Sequence, residues 1–453
     1  MFKQTLMASG LALMLSTALP AQAADNLKDE VQQLKARLQV LEALVQQQSE
    51  AMVKMRADAG ANAPSAAPPA PTPPPAPVAA SSGNAFNPKI SLILDGAFAN
   101  YTARTAPVIP GFLLSDSAKP RPEGLSLGET ELALEANVDD KLHGWTTLSL
   151  SPEGGISVEE AYVNTLSLPA GLAVKFGRFF SEIGYQNHQH AHAWEFVDAP
   201  LVYRAMLGNQ LGDDGVQVRW LAPTDLFFEL GGEALRGASF PAGGDRRNGV
   251  RGFAGFAHLG GDVGTGGSWR LGLSHLNAEA NNRRSDDGLS TTAFSGSSNL
   301  SIADAVYKWA PDGNAANTNF VGQAEYFYRR EGGSLVSDPN GTADASLYRG
   351  HQQGFYVQGV YQFMPRWRVG ARYDRLSANN TLSNPVFGTS LALLADNSKD
   401  PQRYSLMGDF SNSEFSRVRL QFNRDESRPG GAADNQIFVQ YIFSLGSHPA
   451  HQF

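Results

Sequence analysis

The sequence predicts an all-β transmembrane barrel of about sixteen antiparallel strands carrying an N-terminal α-helical coiled coil. Three observations predict the barrel. Apolar and polar residues alternate along many segments after Phe86, short and long connections alternate between those segments, and five of the six tryptophans sit beside a short connection.

Residues 1–23 form a secretory signal: Lys3 supplies the positive start, Leu6 to Leu19 the short apolar core, and Ala21-Gln22-Ala23 the cleavage site. That apolar run is too short for a spanning helix. Residues 24–56 follow as a coiled coil. Leu27, Val31, Leu34, Leu38, Leu41, Val45, Gln48, Met52 and Met55 recur at alternating steps of four and three, the seam of a heptad repeat. A single helix lying on a domain would instead drift at a period of 3.6. Residues 57–83 collapse to Ala, Pro, Ser and Gly around PSAAPPAPTPPPAP, a semi-rigid spacer that cannot bury a core.

Residues 84–446 are the predicted barrel. In Glu129-Thr130-Glu131-Leu132-Ala133-Leu134-Glu135-Ala136-Asn137-Val138, glutamates and Asn fall on one face and Leu, Ala and Val on the other. The pattern returns at 216–220, 269–273, 367–373 and 415–422. Apolar-out, polar-in alternation of this length marks a transmembrane strand. A soluble sandwich also alternates, but it hides its apolar face and needs shorter loops.

Short connections are expected at 139–144, 167–171, 222–225, 260–268, 310–317, 364–366 and 411–414. Longer ones are expected at 102–123, 180–212, 236–250, 277–298, 330–352 and 377–400, with two shorter outer connections at 151–155 and 425–434. The resulting even strand count puts both ends of the barrel on the short-turn side, the periplasm. Trp145, Trp220, Trp269, Trp309 and Trp367 then fall at one rim, as an interfacial aromatic girdle requires. The final strand is expected over 436–443, followed by the tail 447–453 with His448 and His451. Pro449 makes that tail a poor strand, so either Phe443 or Phe453 would be the terminal assembly signal.

Signal, coiled coil, Pro-rich linker and barrel together resemble the trimeric porins of the phosphate-selective and dicarboxylate-type group. VKFGRFFSEIG is similar to their strand leading into the third loop. More locally, GRFFSEIGYQNHQHAHAWEFVDAPLVYRAMLGNQLGDDGVQVRWLAPTDLF and the ending FVQYIFSLGSHPAHQF resemble a proteobacterial family whose members carry labels such as zinc-regulated outer-membrane receptor. The first resemblance implies an outer-membrane channel and a homotrimer. The second implies zinc-limited expression and a role in metal acquisition. A TonB-dependent mechanism is not supported, because there is no plug domain and the chain is too short for 22 strands.

The candidate pore residues lie on the polar faces of the predicted strands. Glu129, Glu131 and Glu135 share one early strand, Arg368, Arg372, Arg417 and Arg419 lie on late strands, and Arg219 and Arg270 fall between. Opposed acidic and basic walls would orient polar solutes in transit; charges that merely pair across a water-filled lumen would look the same in sequence. The connection 180–212 is the third outer one, expected to fold inward as a constriction with Trp194 in it. Its His188, His190 and His192 alternate, and Glu195 and Asp198 follow closely. Those residues could offer N and O ligands to zinc, with His448 and His451 as a second, weaker site; they equally suit hydrogen bonding to the wall or titration as a pH gate. No cofactor is required, and zinc is the one the histidines would suit.

Composition narrows the rest. There is no cysteine, which excludes disulfides, thiolate metal sites and thiol catalysis. The formal net charge is −8 and no basic patch is present, which argues against nucleic acid. Gly124-Leu125-Ser126-Leu127-Gly128 matches G-x-S-x-G, but it runs into an alternating strand rather than a strand-to-helix turn, so no enzyme is expected. The expected partners are outer-membrane lipids, two further copies joined through the coiled coil, and peptidoglycan or a periplasmic protein.

Overall fold

The computed structural model describes residues 88–446 except 105–107, 129, 152–154, 246–248, 287–290, 339–343, 384–389 and 397. The expected signal, coiled coil and linker lie outside the described residues, as do Glu129, His448 and His451.

Period-two alternation builds the wall. The first eight strands are β1 (Lys89–Tyr101), β2 (Gly124–Leu127 and Thr130–Asn137), β3 (Leu142–Leu150), β4 (Ile156–Thr165), β5 (Leu172–Phe180), β6 (Gly212–Leu221), β7 (Phe227–Leu235) and β8 (Gly252–Val263). The remainder are β9 (Gly267–Asp286), β10 (Thr291–Trp309), β11 (Asn319–Ser337), β12 (Asp344–Met364), β13 (Trp367–Leu382), β14 (Gln402–Ser413), β15 (Ser416–Asp425) and β16 (Asp434–Gly446). Both halves of β2 pair with β1, and Gly128 N–H donates to the Asp95 carbonyl between them, so they are one wall strand. Every neighbour pair is antiparallel, and β16 pairs with β1 from Ser91↔Gly446 to Tyr101↔Gln436. Among the described residues every strand pairs with a neighbour on each side, so the barrel is closed with sixteen strands.

Along β16, Gln436, Phe438, Gln440 and Ile442 are turned inward and buried, while Ile437, Val439 and Tyr441 are exposed outside. The same outward apolar belt includes Leu271, Leu273, Val357, Val369, Leu406 and Leu420. Such a face is stable only against hydrocarbon, which is the physical reason to read the barrel as membrane-spanning. Trp220, Trp269, Trp309 and Trp367 share the parity of that belt near the short turns. Trp145 does not. It shares the inward parity of Thr147, to whose Oγ1 its Nε1 donates at 2.9 Å, and it stacks on Tyr162 inside.

The wall is uneven. Strands β3 to β7 have 9 or 10 residues, about what crossing a bilayer requires. Strands β9 to β12 have 19 to 21. Much of the expected loops 277–298 and 330–352 is accordingly strand, and β13 likewise runs six residues into the expected loop 377–400. There the outward residues turn polar (Asn277, Glu279, Ser297, Arg330, Gln353), so the sheet continues past the apolar belt with its outer face wet.

Candidate functional site

The connection between β5 and β6, residues 181–211, lies inside the barrel and is bound to its wall on nearly every side. It carries a short helix, α1 (Leu201–Leu207), ended by Gly208 at φ 64°. That left-handed conformation favours glycine and closes the helix C-terminus. At the other end Asp374 of β13 accepts from Leu201 N–H at 2.8 Å, satisfying one orphan donor of the first turn. Leu201, Val202, Tyr203, Met206 and Leu207 are wholly buried against Leu276, Leu300, Ile302, Phe327 and Leu376 of the tall wall. The first long loop packs on the same cluster through Ile109 and Phe112. One side of the lumen is thus a dry core rather than a water column.

Polar contacts fix the remainder of the segment. Glu233 of β7 accepts from Ser181 and from Glu182 N–H, and Ser274 of β9 accepts from Gly184 N–H at 3.2 Å. Glu325 of β11 accepts from Tyr185 N–H, Gln186 N–H and Tyr203 Oη. On β15, Gln421 accepts from Val197 N–H at 2.7 Å.

Charge sorts the two ends of this crossing. The histidines meet the acidic wall. His192 Nδ1 lies 2.8 Å from Glu131 Oε1 on β2, and His190 Nδ1 lies 3.2 Å from Glu131 Oε2. His190 Nε2 is 3.0 Å from Glu160 Oε2 on β4. Burial disfavours the His190 imidazolium, but the carboxylates of Glu131, Glu159 and Glu160 outweigh it and hold its pKa well above the ordinary value. The acids of the segment meet the basic wall. Glu195 lies 2.8 Å from Arg368 on β13, and Asp198 lies 2.7 Å from both Arg372 and Arg403 of β14. Burial alone would raise the Asp198 carboxyl. The two guanidinium groups overcome this and hold it well below the usual carboxylate range.

The residues singled out from sequence therefore separate. His190 and His192 come together with Glu131. His188 turns away to Glu182 at 3.6 Å, and burial pushes its pKa down against that carboxylate. Glu195 and Asp198 are bound to arginine and leave the histidines altogether. Arg417 donates to the His192 carbonyl at 2.7 Å, while Arg419 pairs with Asp409 and Gln440 in the wall. Arg270 packs on the Tyr185 ring at 5.1 Å, and Trp194 donates to the Gln189 carbonyl at 2.8 Å, which stiffens the segment from within. Glu135 and Arg219 pair along the wall with Lys89 and Glu229.

Glu159, Glu160, Glu325, Asp374 and Arg403 were not singled out, although for most of them inward parity within their strands was the available signal. Glu159 is the exception. Thr147 pairs with Glu160 and Leu148 with Val158, so Glu159 is the extra residue of a β-bulge. That bulge lets two consecutive glutamates reach the same side of the sheet.

Fold and site together define a transmembrane β-barrel whose connection between β5 and β6 crosses its lumen. The chain belongs to the family of an uncharacterized protein of Aquifex aeolicus, with which it is 32% identical over 408 residues, 83% of this chain and 82% of that one. No family model matches. Among solved structures, the outer membrane channel DcaP of Acinetobacter baumannii is similar at a TM-score of 0.48, with 16% identity over 81% of this chain and 100% of that one. An anion-selective porin from Comamonas acidovorans (TM-score 0.47, 10% identity, 79% and 99% covered) and OmpT of Vibrio cholerae (0.47, 10%, 80% and 99%) are similar to the same degree. The barrel rests on its own strand pairing, and likenesses of this size add nothing to it.

Proposed function

We propose that the protein is an outer-membrane channel through which small hydrophilic solutes diffuse passively, with residues 181–211 as its constriction. The observation that carries this is the sorting of charge across the lumen: His190 and His192 on the acidic wall, Glu195 and Asp198 on the basic wall. A segment held at both ends narrows the lumen without closing as a lid would. The remaining path runs beside part-exposed His188, Arg219, Glu195 and Arg368, groups of both signs that orient polar solutes. Assembly as a homotrimer through the coiled coil, and a periplasmic contact made by that coil and the linker, belong to the same proposal.

The test is reconstitution of the full chain in planar bilayers. Ohmic channels are expected, with a larger conductance when 185–208 is replaced by a short Gly/Ser link. Absence of channels from correctly folded protein overturns the proposal; equal conductance with and without the segment removes its role as the constriction.

A further inference from the structure

The cluster where the loop meets the acidic wall has the chemistry of a metal site. Glu131, His190 and His192 each bring a ligand atom to within 4.8 Å of the others. Glu159 Oε2 lies 3.4 Å from His190 Nδ1, and both atoms are buried with no hydrogen-bond partner among the described residues. The bulge at Glu159 is what aims that carboxylate here. On the far side of the same ring, Glu160 stands 3.0 Å from His190 Nε2. A carboxylate behind a ligating imidazole fixes the ring and its tautomer and raises its basicity. The two imidazoles stack at 5.7 Å, and their Nδ1 atoms both face the Glu131 carboxylate, at 3.2 and 2.8 Å.

We infer that Glu131, Glu159, His190 and His192 bind one divalent transition-metal ion of the zinc type, with Glu160 positioning His190. Two imidazole nitrogens and two carboxylate oxygens make a tetrahedral set that suits zinc and needs no thiolate. Ligand bonds of about 2.0–2.2 Å require only that these atoms close around the ion by small side-chain rotations. Two ligands come from the loop and two from β2 and β4, so the ion staples the crossing segment to the short wall. This goes beyond the channel reading and does not depend on it.

The experiment uses untagged full-length protein in detergent, stripped with a chelator and titrated with Zn²⁺ by calorimetry and with Co²⁺ by visible absorption. One ion per chain and the intense bands of tetrahedral Co²⁺ are expected. Glu159→Gln and His192→Asn each weaken Zn²⁺ binding at least tenfold, and Glu160→Gln weakens it roughly 10- to 100-fold. His188→Ala and deletion of 447–453 leave it unchanged. No stoichiometric binding, or a Co²⁺ spectrum without tetrahedral bands, overturns the inference on the wild-type chain alone, whatever a variant does to folding. Binding that survives Glu159→Gln and His192→Asn in protein with normal heat-modifiable gel mobility overturns it too. Because the readout needs no conductance, a failed metal site and a failed channel are separate results.

Discussion

Glu195, on the loop, sits 2.8 Å from Arg368 on β13, and Arg368 in turn is held by Asp409 at 2.7 Å. One acid of the crossing segment thereby neutralises part of the basic wall. Removing that charge leaves the guanidinium facing the solute path.

Glu195→Gln is therefore expected to shift selectivity toward anions. An unscreened charge near the path is worth about 1 kcal/mol at contact distance in water, roughly a fivefold change in permeability ratio. The reversal potential under a KCl gradient reads it directly. A shift toward cations sinks the assignment.

Asp198 is a different kind of contact, because Arg372 and Arg403 behind it are almost wholly buried. Asp198→Asn is expected to lower stability by about 2 kcal/mol, the scale of a hydrogen bond to a charged group. Its folded pKa is depressed, so its contribution is complete above the unfolded value of about 3.9 and is lost only as pH falls through the folded one. The difference in unfolding midpoint between the two proteins should then be flat from pH 5 to pH 8. A difference that grows or vanishes across that window would contradict the pairing.

Gly184 has φ 70°, and a Cβ there would come 2.5 Å from Glu325 Oε2 and 2.6 Å from Tyr203 Oη. Gly184→Ala adds the left-handed backbone cost of about 1–2 kcal/mol to that clash. The segment should loosen from β11, seen as faster proteolysis within 181–211 while the barrel itself stays resistant. Unchanged cleavage would show that Glu325 does not hold the segment.

On the lipid side, Val439 lies midway along β16 and is exposed outside. Val439→Arg should cost about 2–4 kcal/mol in folding into lipid vesicles, as a charge at the bilayer midplane does. Val439→Leu provides the control, since it keeps an apolar group at the same exposed position. Equal folding of both variants would mean the belt is misplaced.

What could be read from the chain is local. Strand alternation depends on neighbours two residues apart, so the wall, its short turns and the third loop were legible; the loop was expected at 180–212 and lies at 181–211. Past the belt the outward face turns polar, as at Asn277 and Ser297, and at Leu276, Ala278 and Ala280 the apolar residues turn inward, so the apolar-out pattern of a membrane strand ends although pairing continues, and sequence reading mistook strand for loop. A bulge is likewise silent in composition. Nothing in Val158-Glu159-Glu160 announces that two successive carboxylates share a side.

The sequence by itself determined a membrane barrel with acidic early strands, basic late strands and a histidine-rich third loop, because periodicity and charge order are properties of the chain. Only the tertiary structure decided which partners those groups took. Closing β16 onto β1 brings Arg372 and Arg403 around to Asp198, while His190 and His192 of the same loop rest on Glu160 and Glu131. Pairings between residues as far apart as His192 and Glu131, or Asp198 and Arg403, follow from ring closure and from burial, which penalises every charge left without its opposite.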